Sequence, residues 1–253
     1  DLVQLGWLTE PGHEELEKAR DFLWEIRFAL HIITDRPEER LLFEYQKELA
    51  RLFGVESENV NHAVEQFMQL YFRTVIGLER LNELLMQLFE EVILHSAHPF
   101  KVDTVTPDFR SVDGYLEVVD PEIFQQRPLA IFEILLLLQT HPELKGIRAS
   151  TIRLIRQNLE WIDDQFREDP KACSLFMDIL RQPVGVTHQL RRMNRYGVLA
   201  AYLPAFGRVV GRMQYDLFHV YTVDEHTLFV VRNLRRFALE QHRETHPFPN
   251  EVF

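Results

Sequence analysis

A chain of 253 residues is long enough to bury a substantial core, as one large domain or two modest ones, and 46% hydrophobic with 26% charged residues argues against disorder. Its 28 lysines and arginines against 39 acidic residues leave a formal charge of −11, which repels nucleic acid and anionic membranes. The single cysteine, Cys173, excludes an internal disulfide and a cysteine-rich zinc site and fits a cytosolic setting.

The chain begins at Asp1 without methionine, which we read as the mark of an excerpt from a longer protein. Thr9-Glu-Pro-Gly is a turn, and a helix is expected over 13–33, where Ala19, Phe22, Leu23, Ile26, Ala29, Leu30 and Ile33 form one apolar stripe. His31 on that helix reads as a surface or interdomain residue. Asp35-Arg-Pro ends it, because the residue before proline avoids helical backbone. A second helix is expected over 37–52, closed by Gly54.

The longest helix is expected over 60–95. Val60, Val64, Phe67, Tyr71, Thr74, Leu78, Leu81, Leu85, Leu88 and Val92 alternate by four and three, a heptad seam with one polar break at Thr74. A helix pair within the chain and a dimeric coiled coil both fit that seam. Between Pro99 and Pro121 the spacing shortens, and Asp113-Gly114 suits a type I′ hairpin turn; one small hairpin and no larger sheet is expected at about 100–120. Helix returns at Pro121 with Asp120 as its cap, then over 128–140, 149–165, 171–181 and 187–196, each break carrying Pro or Gly. The fold class is mainly α: a multi-helix bundle with one small β-hairpin insertion. The longest apolar run, 131–138, is too short to span a bilayer and contains Glu133.

No complete active site is legible. The ten glycines are never within three residues of one another, so neither a dinucleotide fingerprint nor a phosphate loop can be built. No Gly-Ser dipeptide precedes paired aspartates, and no Gly-x-Ser-x-Gly elbow occurs. Cys173, beside Leu175, Phe176 and Ile179, reads as a core residue. His242 and His246 read as solvated loop residues, His95 and His98 as caps at a helix end, and Asp163 with Asp164 as a solvated face. Gly207 and Gly211 allow close helix packing.

The densest stretch is RMNRYGVLAAYLPAFGRVVGRMQYDLFHVYTVDEHTLFVVRNLRR, residues 192–236. It resembles the family of bacterial bifunctional uridylyltransferase/uridylyl-removing enzymes that modify the PII nitrogen-signalling protein. FLWEIRFALHII, RPEERLLFEYQKELA, FEILLLLQTHP, ASTIRLIRQNL and RQPVGVTHQLRRMNRYGVL resemble the same family, so the likeness runs along nearly the whole chain.

That resemblance implies a helical region over 1–215, between a nucleotidyltransferase domain and an HD hydrolase domain, and a truncated N-terminal part of the HD domain over 216–253. The transferase motif would precede Asp1 and the His-Asp doublet of the HD fold would follow Phe253. His226, in VDEHT, matches the first metal-binding histidine of that fold. In the intact enzyme it would share Mg or Mn with ligands absent here, and no metal is expected on this piece alone. UTP and PII are the implied partners. Arg27, Arg36, Arg40 and Gln46, on the first two helices, are candidates for interdomain or triphosphate contacts, since a planar guanidinium suits phosphate. The expectation is a cytoplasmic helical scaffold, inactive by itself. The alternative is a non-catalytic helical module that docks a partner protein.

Overall fold

Thr9 sets the first helix. Its hydroxyl accepts from the Gly12 N–H at 3.2 Å, and a proline lies in the first turn, where a missing N–H is harmless. The resulting helix, α1, runs Glu10–Thr34 and stops at Asp35 in left-handed backbone, φ 49°. The computed structural model describes residues 2–94, 100–215, 221–237 and 244–245, so the expectations for His95, His98, His242 and His246 lie outside the described residues.

The second helix, α2, is Phe43–Leu52, shorter than the sequence suggested. The Glu38 carboxylate accepts the Arg40 backbone N–H at 3.0 Å, which turns the chain over 38–40 and delays the helix. Gly54, at φ 68°, follows its end. The third helix, α3, is Val60–Leu94, about 50 Å of continuous helix. Its seam is buried within the chain, in two separate places. Val64, Phe67 and Met68 pack with Ile26 and Leu30 of α1 and Leu49 and Ala50 of α2. Leu84 and Leu88 belong to a larger second cluster. Between them the seam is half-buried and Thr74 bonds back to the Leu70 carbonyl at 2.9 Å.

The sheet is larger than the hairpin expected from sequence. Strands β1 (Val102–Thr104), β2 (Phe109–Val112) and β3 (Tyr115–Val118) form an antiparallel meander, and β4 (Gly146–Ile147) adds in parallel beside β3. The β2–β3 turn has Asp113 at φ 53° and Gly114 at φ 89°, the two positive angles that a type I′ turn requires. At Asp120-Pro121 the helix starts later than expected: Asp120 Oδ1 takes the Glu122 N–H at 2.9 Å, and α4 is only Ile123–Gln126.

Helix α5 (Ala130–Thr140) is apolar nearly all round, and Ile131, Phe132, Ile134 and Leu135 are fully buried at the centre of the larger cluster. The single helix expected over 149–165 is broken into α6 (Ala149–Gln157), a 3₁₀ turn (Leu159–Trp161) and α7 (Asp164–Glu168). Asp163 causes the restart by capping the Phe166 N–H at 2.9 Å, so it is more than part of a solvated face. Then follow α8 (Pro170–Arg181), α9 (Val186–Tyr196), α10 (Val198–Tyr202), α11 (Pro204–Val209) and α12 (Val223–Phe237). Cys173 is exposed, against expectation, because α8 turns Ala172 and Ile179 inward and leaves residue 173 to the side; the Tyr202 hydroxyl approaches its sulfur at 3.6 Å. The fold is mainly α.

Candidate functional site

The chain from α9 to α12 carries the distinctive stretch, and polar side chains of α3 hold it in place. Gln69 Nε2 donates to the Arg208 and Val210 carbonyls at 2.9 and 3.1 Å, and Arg73 donates to the Val210 and Gly207 carbonyls, both at 3.1 Å. Glu65 accepts the Tyr215 N–H at 3.1 Å. The Gln69 and Arg73 bonds satisfy carbonyls left over at the end of a short helix, a need that every helix C-terminus has. Gly207 fits because a Cβ there would meet the Ala200 carbonyl oxygen at 3.0 Å. The expected close packing at this glycine is present. Gly211 has a different role, as a turn at φ 69°.

Asp224 closes the arrangement. It is 1% exposed, in the first turn of α12, and its Oδ1 accepts the Gly211 N–H at 3.0 Å while Oδ2 accepts from Asn194 Nδ2 at 3.3 Å. Arg80, on α3, donates to the Asn194 carbonyl at 2.6 Å. The Val223 N–H donates to the Arg212 carbonyl at 2.8 Å. Leu228, one turn beyond Asp224, is 2% exposed and Val231 packs partly buried behind it. The first turn of α12 is therefore fixed to α9 and, through it, to α3.

His226 lies two residues after Asp224, which on a helix turns it by about 200° to the opposite side. Its side chain is exposed, and its backbone N–H donates to the Thr222 carbonyl at 2.9 Å. Among the described residues no three His, Cys, Asp or Glu side chains gather to hold a metal. Farther along α12, Arg191 and Arg232 lie over the Phe229 ring at 5.0 and 4.5 Å.

The four candidates on the first two helices do not converge on one open site. Arg27 makes a two-pronged contact with Glu39 at 2.8–3.0 Å, and His31 Nε2 is 3.4 Å from the same carboxylate. Arg36 and Arg40 share Glu38, at 2.9 and 3.1 Å. Bonds from the Arg40 side chain and backbone lower the Glu38 pKa from 4.5 to about 2. Gln46 is 5% exposed, and its Oε1 has no hydrogen-bond partner among the described residues.

Sequence reasoning missed Asp224, Asn194 and Arg80. A signal for Asp224 was present: with Leu228 and Val231 it keeps the i, i+4, i+7 spacing of a buried face, so a carboxylate there must find donors. Arg80 and Asn194 carried no such signal, since Arg80 bonds a backbone carbonyl 114 residues away and the Asn194 amide a carboxylate 30 residues away.

Residues 1–86 match the family model described as GlnD PII-uridylyltransferase, and residues 109–202 match the one described as Uridylyltransferase GlnD third domain. Over all 253 residues the chain is 65% identical to a bifunctional uridylyltransferase/uridylyl-removing enzyme of Methylococcus capsulatus. The chain belongs to this family. Its similarity to the family member of Nitrosococcus oceani is 50% identity over 252 residues, and to that of Pseudomonas aeruginosa 45% over 251, or 99% of the chain. The chain spans 29% of the length of the first of these relatives and 28% of each of the other two. No solved structure matches it. The second family model contains the larger cluster from β2 to α10, whereas Asp224 and His226 lie beyond residue 202.

Proposed function

We propose that this chain is the helical scaffold of an enzyme that uridylylates and deuridylylates the PII protein, placed between a UTP-using transferase domain and a metal-dependent HD hydrolase domain. The observation that carries the reading is the junction around Asp224: one long helix, α3, clamps residues 207–215 and, through Asn194, the first turn of α12. That clamp would give the exposed His226 a fixed position and direction, which a metal ligand needs. His226 would contribute one ligand to a Mg or Mn site completed by other residues of the hydrolase domain, and the metal would supply an activated water there. We place residues 216–253 in that domain and residues 1–215 in the helical region, in a cytoplasmic protein. Among the described residues no helix is long and apolar enough to cross a membrane.

Arg27, Arg36 and Arg40 fit interdomain contact better than triphosphate binding in this reading, whereas Gln46 is buried within the chain. An incoming phosphate would have to displace Glu38 and Glu39, whereas a neighbouring domain can pack over paired charges. The test uses the intact enzyme. Asp224→Ala is expected to lower the rate of uridylyl removal at least ~10-fold while the transferase rate stays within about 2-fold, because only the hydrolase side depends on the α12 anchor. Equal rates in variant and parent for both reactions would overturn the reading.

A second reading, a helical module that docks a partner protein, is favoured by one observation. Trp24, Phe28 and Ile32 form an apolar stripe on the outside of α1, each 59–68% exposed. Size-exclusion chromatography with PII separates the two: the scaffold reading predicts no stable complex between PII and the 253-residue chain.

A further inference from the structure

A concave site with an excess of positive charge lies away from His226, in a cleft of about 430 Å³ between the N-terminal segment, α3, α6 and α9. Three arginines line it, Arg80 from α3 and Arg153 and Arg156 from α6, against one lining carboxylate, Glu15. A second cavity, beside Arg148, lacks this property, because Arg148 is held by Glu91 at 3.3 Å and Glu117 at 2.9 Å.

The cleft is built. Trp7 is fixed at its mouth by an edge-on contact with Phe89, ring centroids 4.3 Å apart, and the Arg153 Nη1 donates to the Gly6 carbonyl at 2.8 Å. The 153 and 156 side chains share one face of α6, as residues three apart do. Glu15 is 3.9 Å from Arg156, and its carboxylate is 46% exposed, so it offsets the arginines only weakly. Burial and then the neighbouring Arg156 charge push the Arg80 guanidinium below its ordinary pKa, as expected where cations crowd without enough anions. Leu81, Leu84, Leu85 and Leu159 supply the apolar part of the lining, and Gln157 adds an amide.

The geometry points to a binding site for a small organic anion, with its phosphate or carboxylate head on Arg153 and Arg156 and its apolar body against the leucines. Guanidinium forks match both head groups in a planar, two-bonded geometry, and the volume suits a small ligand. Nothing in the chemistry of His226 or of the α1–α2 arginines requires this cleft.

Isothermal titration of the 253-residue chain tests it, with phenyl phosphate, benzoate, inorganic phosphate and benzyl alcohol as probes. One of the two aromatic anions is expected to bind saturably, at least ~10-fold more tightly than either inorganic phosphate or the neutral alcohol. Whichever aromatic anion binds more tightly identifies the head group. Arg156→Gln is expected to weaken that binding about 10-fold or more with the melting temperature held, and Arg153→Gln reads the same site should the first variant not fold. The proposal is overturned if neither aromatic anion saturates, or if its binding survives Arg153→Gln or Arg156→Gln in a folded variant.

Discussion

The two hydrophobic clusters differ in what their helices show to solvent. The larger one is closed on all sides described: the sheet, α5, α8, α9 and α12 surround it, and α5 is buried nearly all round. The smaller one, where α1, α2 and the first half of α3 meet, is itself buried, but it takes up only one face of α1. The outer side of α1 shows Trp24, Phe28 and Ile32 to solvent, with Arg27 over the Trp24 ring at 5.0 Å. Both clusters draw on the same α3 repeat. A heptad pattern thus reports that a face is buried without reporting how many partners bury it.

The largest expected effect comes from the closed cluster. Phe132 is fully buried, with the Phe166, Tyr202 and Phe176 rings at 5.2, 4.9 and 6.1 Å. Phe132→Ala is expected to cost about 3–5 kcal/mol in urea denaturation. Phe67, equally buried in the smaller cluster, has one ring neighbour among the described residues, Phe53 at 5.3 Å. Phe67→Ala should therefore cost less than Phe132→Ala. The reverse order would break the comparison.

Next in size is the link between α12 and the rest. Asp224→Ala leaves the Gly211 N–H and the Asn194 amide without their acceptor in a buried place, at a cost of about 1–3 kcal/mol. The same denaturation series measures it. A cost near zero would mean that water or a rearranged loop replaces the carboxylate, and that α12 is not anchored through this residue.

How legible these features were follows from the same contrast. α1, α3, α5, α8 and α9 were readable because each repeats an apolar stripe over several turns and ends at a turn or proline signal. Gly146–Ile147 was not, since two residues carry no period; it becomes a strand only because Leu116 lies beside Ile147. The 149–165 break escaped because Asp163 can be either a solvated residue or a cap, and only the Phe166 N–H decides. Cys173 was misplaced because its apolar neighbours in sequence lie around the helix from it. His226 was singled out through family resemblance alone, while the carboxylate that anchors its helix depends on partners 13 and 30 residues away.

A smaller effect is expected on the open side. Phe28 is 68% exposed, so Phe28→Ser should leave the stability of the 253-residue chain within ~0.5 kcal/mol. In the intact enzyme the same change should be costly if another domain covers the stripe, and thermal melts of both proteins sharpen the contrast. A large loss in the chain alone would show that the stripe is already covered.

The smallest effect, and the one with a defined pH signature, is at Glu38. Its side chain is 6% exposed, but its partners Arg36 and Arg40 are 59% and 72% exposed, so water and salt screen the pairs. Its pKa is depressed in the folded chain, from 4.5 to about 2, by the Arg40 side chain and backbone bonds and then by the two positive charges. A depressed carboxylate adds stability above its unfolded pKa and loses it as the pH falls through the folded one. The parent should therefore lose this contribution between about pH 4.5 and pH 2, and Glu38→Gln should lack it at every pH. Melting temperatures of the two proteins should differ at pH 7, with the parent higher, and draw together towards pH 2. A gap that stays constant over that window would assign the difference to packing or to the Arg40 N–H bond, and the Glu38 charge would then play no part in holding the turn before α2.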